Sequence, residues 1–467
     1  MTDILKYKSV YFLGIGGIGM SAIARYFKIM GADISGYDRT STPLTRELQS
    51  EGMSIHYKDD ISLIPGNTDL VIYTPAIPAN HSEFKYLLGK KIPVMKRAEI
   101  LGIITRRTKT IAIAGTHGKT TTTTLIAHLM VHSGKSVVAF LGGISKNYGT
   151  NLIVADKQEI SSSKNIAWMP EYFVAEADEY DRSFLQLEPE KEIVSSVDPD
   201  HLDIYGNVAD LRNSFRNFTS KIPSDGCLVM KHGIALTPDQ TSGYRILTYS
   251  VEGPGDYSAT NIRHEKGEYC FDLITPEKKI HDIVLGLPGR FNLENAIAAS
   301  AIALQTGIPE STLKEALATY SGVKRRFDFQ VKRADCVYID DYAHHPAELH
   351  ASISAARELY PDKKITGIFQ PHLYTRTRDL ADDFAKSLEL LDELILMDIY
   401  PAREKPIPGI TSSMLLGKVN LKEKYLMNKE EILEWIKSHT PEVIMTLGAG
   451  NIDTLVKPIT KLLEKPE

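Results

Sequence analysis

Short runs of consecutive apolar residues recur along this chain, and each is followed by a stretch whose apolar positions fall three and four apart. SVYFL is followed by IGMSAIARYFKIM, which ends at Gly31, and then by ADISGYD and DLVIYTP. A strand covered by helices on both faces needs no polar side, so this alternation predicts βαβ units and an open parallel sheet. The basic stretch that comes next, KKIPVMKRAEILGIITRRTK, reads as a solvated helix and linker. A second block runs through TIAIAG, KSVVAFLGG, YFVAEADEY and EIVSSVDPDHLD. It then changes to the shorter strands RILTYS and YCFDLI and to two helices over about 292–320. From about Val323 the alternation resumes with CVYIDDY, a helix over 346–358, KITGIFQ, a helix near 379–390, ELILMDIY, EVIMTLGAGN and a closing helix. Three α/β domains in series are predicted.

Composition narrows the function classes. A chain of 467 residues is too long for one core and fits two to four domains. Its net charge of -5 gives no electrostatic reason for a nucleic-acid or anionic-membrane partner. Cys227, Cys270 and Cys336 are odd in number and scattered, which suits a reducing compartment better than a disulfide framework. MTDILKYKSV lacks the apolar core of a signal peptide, and no apolar run approaches the roughly 18 residues of a spanning helix. A cytoplasmic protein is expected.

Two glycine-rich loops carry the candidate chemistry. Residues 14–19, GIGGIG, follow a strand and open a helix, and Asp38 ends the next strand. That context suits a diphosphate on a helix N-terminus, because free N–H groups and the helix dipole favour anions there. The motif leaves open whether the ligand is a nicotinamide or flavin cofactor or a nucleotide-sugar diphosphate.

The second loop, GTHGKTTTTT, almost spells G-x-x-x-x-G-K-[ST], but only Thr116 and His117 separate Gly115 from Gly118. The strand TIAIAG precedes it. LIAHLMVHSG follows, with Leu125, Ile126, Leu129 and Met130 on one helical face and Gly134 as a C-cap. Five threonines begin a helix poorly. Their hydroxyls read instead as a row facing phosphate and magnesium, with Lys119 placed to neutralise β and γ phosphates and Thr120 to meet the metal. Glu176 and His201 end two further strands, where ligands gather in open α/β sheets. With Thr120 they make a plausible donor set for magnesium, whereas Asp178, Glu179 and Asp181 read as solvated loop acids.

FLGIGGIGMSAIA, GTHGKTTTT, EADEYD, DHLDIYG, GVKRRFD, DDYAHHPAE and FQPHLYTRT follow one another between residue 10 and about residue 450. In kind and order they resemble the motifs of the Mur ligases of peptidoglycan precursor synthesis, whose shortened phosphate loop is G-[T/S]-x-G-K-[T/S]. Within that family they are similar to the branch that adds L-alanine to UDP-N-acetylmuramate. The resemblance implies a Rossmann-like UDP-sugar-binding domain over 1–106, a central P-loop ATPase domain over 107–321 and a Rossmann-like amino-acid-binding domain over 322–467. It implies ATP and magnesium as cofactors, phosphorylation of the lactyl carboxylate, and attack of the alanine amine on the acyl phosphate. A monomer or homodimer with no nucleic-acid or membrane partner is expected.

By family position, Gly14, Gly16, Gly17, Ile18, Gly19 and Asp38 hold the UDP-sugar. Gly115, Thr116, His117, Gly118, Lys119, Thr120 and Thr121 hold the ATP phosphates. Asn295 reaches the adenine, and Arg326 and Asp341 the phosphate and ribose. Thr120, Glu176 and His201 hold magnesium, and His344, His345, His372 and Arg376 surround alanine. Lys119, His201 and Arg376 are the expected catalytic groups, with Arg376 on the alanine carboxylate because a planar fork matches that anion.

Three departures from the family pattern stand out. Leu373 takes the place of a frequent second arginine. Phe291 takes that of an expected histidine, which leaves stacking as its contact with adenine. HLDIYGNVADLRNSFRNFTS supplies no lysine before Lys221, so no carbamylated lysine is expected.

Overall fold

The structure is a computed structural model that describes residues 4–155, 169–199, 202–265, 268–402 and 404–464. It contains three sheets. The first joins β1 (Ser9–Leu13), β2 (Asp33–Tyr37), β3 (Ser54–His56), β4 (Leu70–Tyr73) and β5 (Val94–Lys96) in the order β3-β2-β1-β4-β5, all parallel. All five residues of β1 are buried, as a central parallel strand requires. The basic stretch after β4 is not a solvated linker. It supplies β5 and a helix, Arg97–Thr105, that buries Ile100, Leu101, Gly102, Ile104 and Thr105. The apolar residues of RAEILGIIT outweigh its flanking charges once a core is available.

The second sheet has ten strands: β6 (Lys109–Ala114), β7 (Val137–Phe140), β8 (Leu152–Val154), β9 (Tyr172–Glu176), β10 (Lys191–Val194), β11 (Cys227–Lys231), β12 (Arg245–Ser250), β13 (Tyr257–Glu265), β14 (Glu268–Ile274) and β15 (Lys279–Leu285). Their order is β15-β14-β13-β12-β11-β10-β6-β9-β7-β8. Strands β12 to β7 in that order are parallel, and β13, β14 and β15 form an antiparallel meander. The helix Lys119–His132 after β6 is buried from Thr120 to Met130 on every side rather than along one stripe.

The first two sheets belong to one compact unit, residues 1–286 with 294–321. Tyr26, on the helix Ile18–Ile29, packs its ring 5.6 Å from Phe140 and 6.3 Å from Phe173 of the second sheet. Asn151 donates to the carbonyl of Ile18 at 2.6 Å and to Ser21 Oγ at 2.8 Å. The helix that begins at the first glycine loop is thereby clasped to the second sheet.

Residues 287–293 and 322–467 form the other unit. Its sheet joins β16 (Asp328–Lys332), β17 (Val337–Asp341), β18 (Ile365–Phe369), β19 (Glu393–Leu396), β20 (Glu423–Leu426) and β21 (Val443–Leu447) in the order β16-β17-β21-β18-β19-β20. Only β16 runs antiparallel. The helix expected near 379–390 is broken at Leu380 into Tyr374–Asp379 and Ala381–Leu388. Among the described residues no helix is long and apolar enough to cross a membrane.

Candidate active site

β6 lies between β9 and β10, and all three strands point their carboxyl ends the same way. The loop after β6 is tied on one side to the end of β10. Thr116 N–H donates to the carbonyl of Ser196 at 3.3 Å and His117 N–H to Ser196 Oγ at 3.0 Å. The donors left for an anion are the first-turn N–H groups of the helix Lys119–His132, which have no carbonyl one turn earlier to bond. Gly118 caps that helix at φ +79°, and a Cβ there would meet Asn295 Oδ1 at 2.5 Å. Asn295, expected at the adenine, is therefore set behind the phosphate loop, where its Oδ1 also accepts from the Thr122 hydroxyl at 3.2 Å.

The threonine run divides. Thr123 and Thr124 turn their hydroxyls back to the carbonyls of Lys119 and Thr120, both at 2.8 Å. These two serve the helix and Thr122 is taken by Asn295, so the expected row of phosphate-facing hydroxyls shrinks to Thr120 and Thr121 in the first turn. β-Branched hydroxyls satisfy a buried helix this way because the i−4 carbonyl is in reach.

Lys119 Nζ donates to the carbonyl of Gly115 at 2.7 Å and lies 2.9 Å from Glu179 Oε1 and 2.8 Å from Oε2. Glu179 is buried, and its carbonyl accepts from the Tyr205 hydroxyl at 2.6 Å. Its reading as a solvated acid is overturned. Burial alone would pull the Lys119 ammonium down, but Glu179, Glu176 and Asp178 more than reverse that and leave it above the ordinary lysine value. Asp178 and Asp181, half exposed, are also engaged: Arg97 Nη2 donates to Asp178 at 3.2 Å and Lys96 Nζ to Asp181 at 3.4 Å.

Glu176 ends β9 against Gly142, whose added Cβ would come within 2.1 Å of Glu176 Oε2. Carboxylate and hydroxyl oxygens are the hard donors magnesium prefers, so Glu176 and Thr120 fit that ion. His201, the third expected ligand, lies outside the described residues.

The first glycine loop is largely self-satisfied. Gly14 and Ile15 N–H donate to the carbonyl of Tyr37 at 2.8 and 3.1 Å, and Gly16 N–H to Asp38 Oδ2 at 2.7 Å. Asp38, expected in the UDP-sugar site, spends one oxygen holding the loop. The donors remaining for a diphosphate are the first-turn N–H groups of the helix Ile18–Ile29. Gly17, Ile18 and Gly19 line a cavity of about 270 Å³ that also meets Thr74, Arg97, Glu176 and Asp178. Both loops of this unit thus open near the carboxylates at the end of β9.

In the other unit the predicted residues cluster at the carboxyl ends of β17 and β18. Asp341 is buried, accepts from Ser352 Oγ at 2.7 Å and from Ala343 N–H at 3.1 Å, and is pushed by burial up to about 6. Arg325 and Arg326 stand 5.1 and 5.0 Å from the Tyr342 ring, and Arg325 also pairs with buried Asp340 at 3.3 Å rather than forming a solvated surface. His344 Nδ1 lies 3.0 Å from the carbonyl of Tyr342 and 3.2 Å from Glu348, with its ring 5.9 Å from that of His372. His372 stacks on Tyr400 at 5.8 Å. Burial, then His344 and Arg376, lower His372 to about 4, which keeps the ring neutral beside the guanidinium.

His345 has a different place, at the N-cap of the helix Pro346–Leu359, where Glu348 accepts its N–H at 3.3 Å. Leu373 precedes the short helix of Arg376 at φ +73°, a strained value for leucine. Phe291 packs edge-on against Phe327 at 5.8 Å, so its ring serves this unit's core. Sequence reasoning missed Arg97, Glu179, Tyr342 and Glu348. Of these only Glu348 left a local signal, an acid three residues past an N-cap.

Three family models match in series: the Mur ligase family catalytic domain over 9–109, the Mur ligase middle domain over 113–303 and the Mur ligase glutamate ligase domain over 325–450. The UDP-N-acetylmuramate–L-alanine ligase of Parabacteroides distasonis is 50% identical over 469 residues, covering 99% of both chains. The chain belongs to the Mur ligase family.

The same-named ligase of Porphyromonas gingivalis is 47% identical to this Mur ligase, over 98% of this chain and 99% of its own. Among solved structures, the UDP-N-acetylmuramate–alanine ligase of Thermotoga maritima superposes with a TM-score of 0.82 at 28% identity, covering 97% of this chain and 98% of its own. A murein peptide ligase of Psychrobacter arcticus shares the fold at a TM-score of 0.72 and 22% identity, over 98% and 99% of the two chains.

Proposed function

We propose that this chain joins L-alanine to the lactyl carboxylate of UDP-N-acetylmuramate, giving UDP-N-acetylmuramoyl-L-alanine, ADP and phosphate. The observation that carries the reading is one cavity lined by the first glycine loop and by Glu176, the strand-end carboxylate that, with Glu179 and Asp178, holds the buried phosphate-loop Lys119 in its charged form. A sugar nucleotide anchored at Gly17, Ile18 and Gly19 directs its carboxylate toward the transferred phosphoryl group. A free carboxylate is a poor acyl donor. Its oxygen attacks the γ phosphorus, ADP leaves, and the resulting acyl phosphate has phosphate as a leaving group. The alanine amine then attacks the carbonyl carbon, phosphate departs, and the amine nitrogen gives up its proton.

Lys119 offsets charge on the phosphoryl oxygens, and the first-turn N–H groups bind them. Thr120, Glu176 and His201 would hold magnesium, which would supply further charge neutralisation on the phosphates. Gly115, Thr116, His117 and Gly118 shape the loop, and Asn295 braces it. Arg326 and Asp341 are assigned to ATP, Asp38 and the glycine loop to UDP, and Arg376 to the alanine carboxylate. His344 and His372, held neutral by burial, accept hydrogen bonds from alanine without adding charge beside Arg376, and His345 sets the turn that carries His344.

The test is product analysis with purified protein, magnesium and ATP. Phosphate release should require UDP-N-acetylmuramate and L-alanine together, and the amide should appear in equal amount. Full turnover on a free tripeptide in place of alanine would reassign the amine substrate.

A further inference from the structure

Arg97 opens the helix Arg97–Thr105 inside the stretch whose charges read as solvent-facing. Its side chain is 22% exposed and is fixed on one side by Asp178. On the other side Nη1 lies so close to Gly19 that a Cβ there would approach it to 2.8 Å. Gly19, the last glycine of GIGGIG, leaves the space into which the tip of this arginine side chain reaches.

The cavity of about 270 Å³ has the glycine loop at one end and Glu176 and Asp178 at the other, and among the described residues lining it Arg97 is the only cation. Two carboxylates would repel an anionic substrate that must reach them, and a fixed guanidinium offsets that repulsion. Arginine carries five N–H donors in a planar fork, more than one carboxylate contact uses.

We propose that Arg97 is a binding residue for the sugar nucleotide, its guanidinium taking an anionic oxygen of that substrate between the glycine loop and Glu176. The inference rests on the ligase reading above. The oxygen belongs either to the diphosphate or to the carboxylate that receives the phosphoryl group, and both present the same oxyanion to the fork.

Steady-state kinetics of Arg97→Ala and Arg97→Lys, varying each substrate in turn, test it. Arg97→Ala should raise KM for UDP-N-acetylmuramate roughly 10- to 100-fold, the range for a lost charged hydrogen bond, with KM for ATP and alanine within about twofold. Arg97→Lys keeps the charge and should raise it less. UDP-N-acetylglucosamine, which has the diphosphate without the lactyl carboxylate, locates the contact. Its inhibition constant rises in Arg97→Ala if the diphosphate is held and stays constant if the carboxylate is. An unchanged sugar-nucleotide KM in both variants overturns the proposal, as does an equal rise for all three substrates with a lowered Tm, which marks Arg97 as a tether for Asp178. Absence of amide product with the wild-type protein overturns the ligase reading itself.

Discussion

Lys119 and Glu179 form a buried ion pair, with Nζ 2.8 Å from Oε2 and 2.9 Å from Oε1, at the mouth of the phosphate loop. The lysine that meets phosphate is thus held on a protein carboxylate, and ATP must share or replace that partner. Lys119→Ala should lower kcat by roughly two to four powers of ten, the effect of losing one fixed electrostatic stabiliser. A loss below about threefold in single-turnover phosphate release would contradict the assignment.

The same pair makes a thermal prediction. Glu179→Gln leaves the buried ammonium less compensated, so the nucleotide-free variant should melt below wild type. Added ATP and magnesium restore the missing negative charge, so the rise in Tm on adding them should exceed that of wild type. Equal rises would mean that Glu179 and the phosphates do not compete for Lys119.

Gly142 is tested by one methyl group. A Cβ at this position would stand 2.1 Å from Glu176 Oε2, so Gly142→Ala should displace that carboxylate. The magnesium concentration for half-maximal rate should rise several-fold at saturating ATP and sugar nucleotide. An unchanged magnesium dependence would remove Glu176 from the proposed donor set.

Arg376→Ala should act mainly on KM for alanine, with a smaller change in kcat. Arg376 is also one of the charges that, after burial and His344, keep His372 near 4. NMR titration should find the His372 imidazole titrating at higher pH in the variant. Neither change occurring would move the carboxylate contact elsewhere.

Glu192 lies on β10, fully buried, and neither of its oxygens has a hydrogen-bond partner among the described residues. Burial raises its pKa well above the ordinary value, so the folded chain keeps a proton that the unfolded chain releases above about 4.3. Stability from this group is complete at low pH and falls as pH rises. Glu192→Gln removes the ionisation, so its stability relative to wild type should be more favourable at pH 8 than at pH 5 in urea unfolding. A pH-independent difference would mean that Glu192 ionises within the fold at little cost.

The amino-acid sequence by itself determined the α/β class, most of the strands, both glycine loops and the family, because these rest on local pattern. Apolar runs make strands, spaced apolar residues make helices, and a glycine loop between the two makes an anion site whatever surrounds it. Lys119 and Glu176 were legible because each ends or follows a strand. Only the tertiary structure decided which charged groups are solvated and which are partners. Arg97 sits in a charge run and Glu179 in a loop of acids, and nothing near either in sequence distinguishes them from surface. Arg97 lies 81 residues from Asp178 along the chain, and Lys119 60 from Glu179. Asp38 and Asn295 read as ligand contacts, and packing gives each a further task that the sequence did not show, one oxygen of each accepting a hydrogen bond from the protein itself, since buried loop atoms need partners before any substrate arrives.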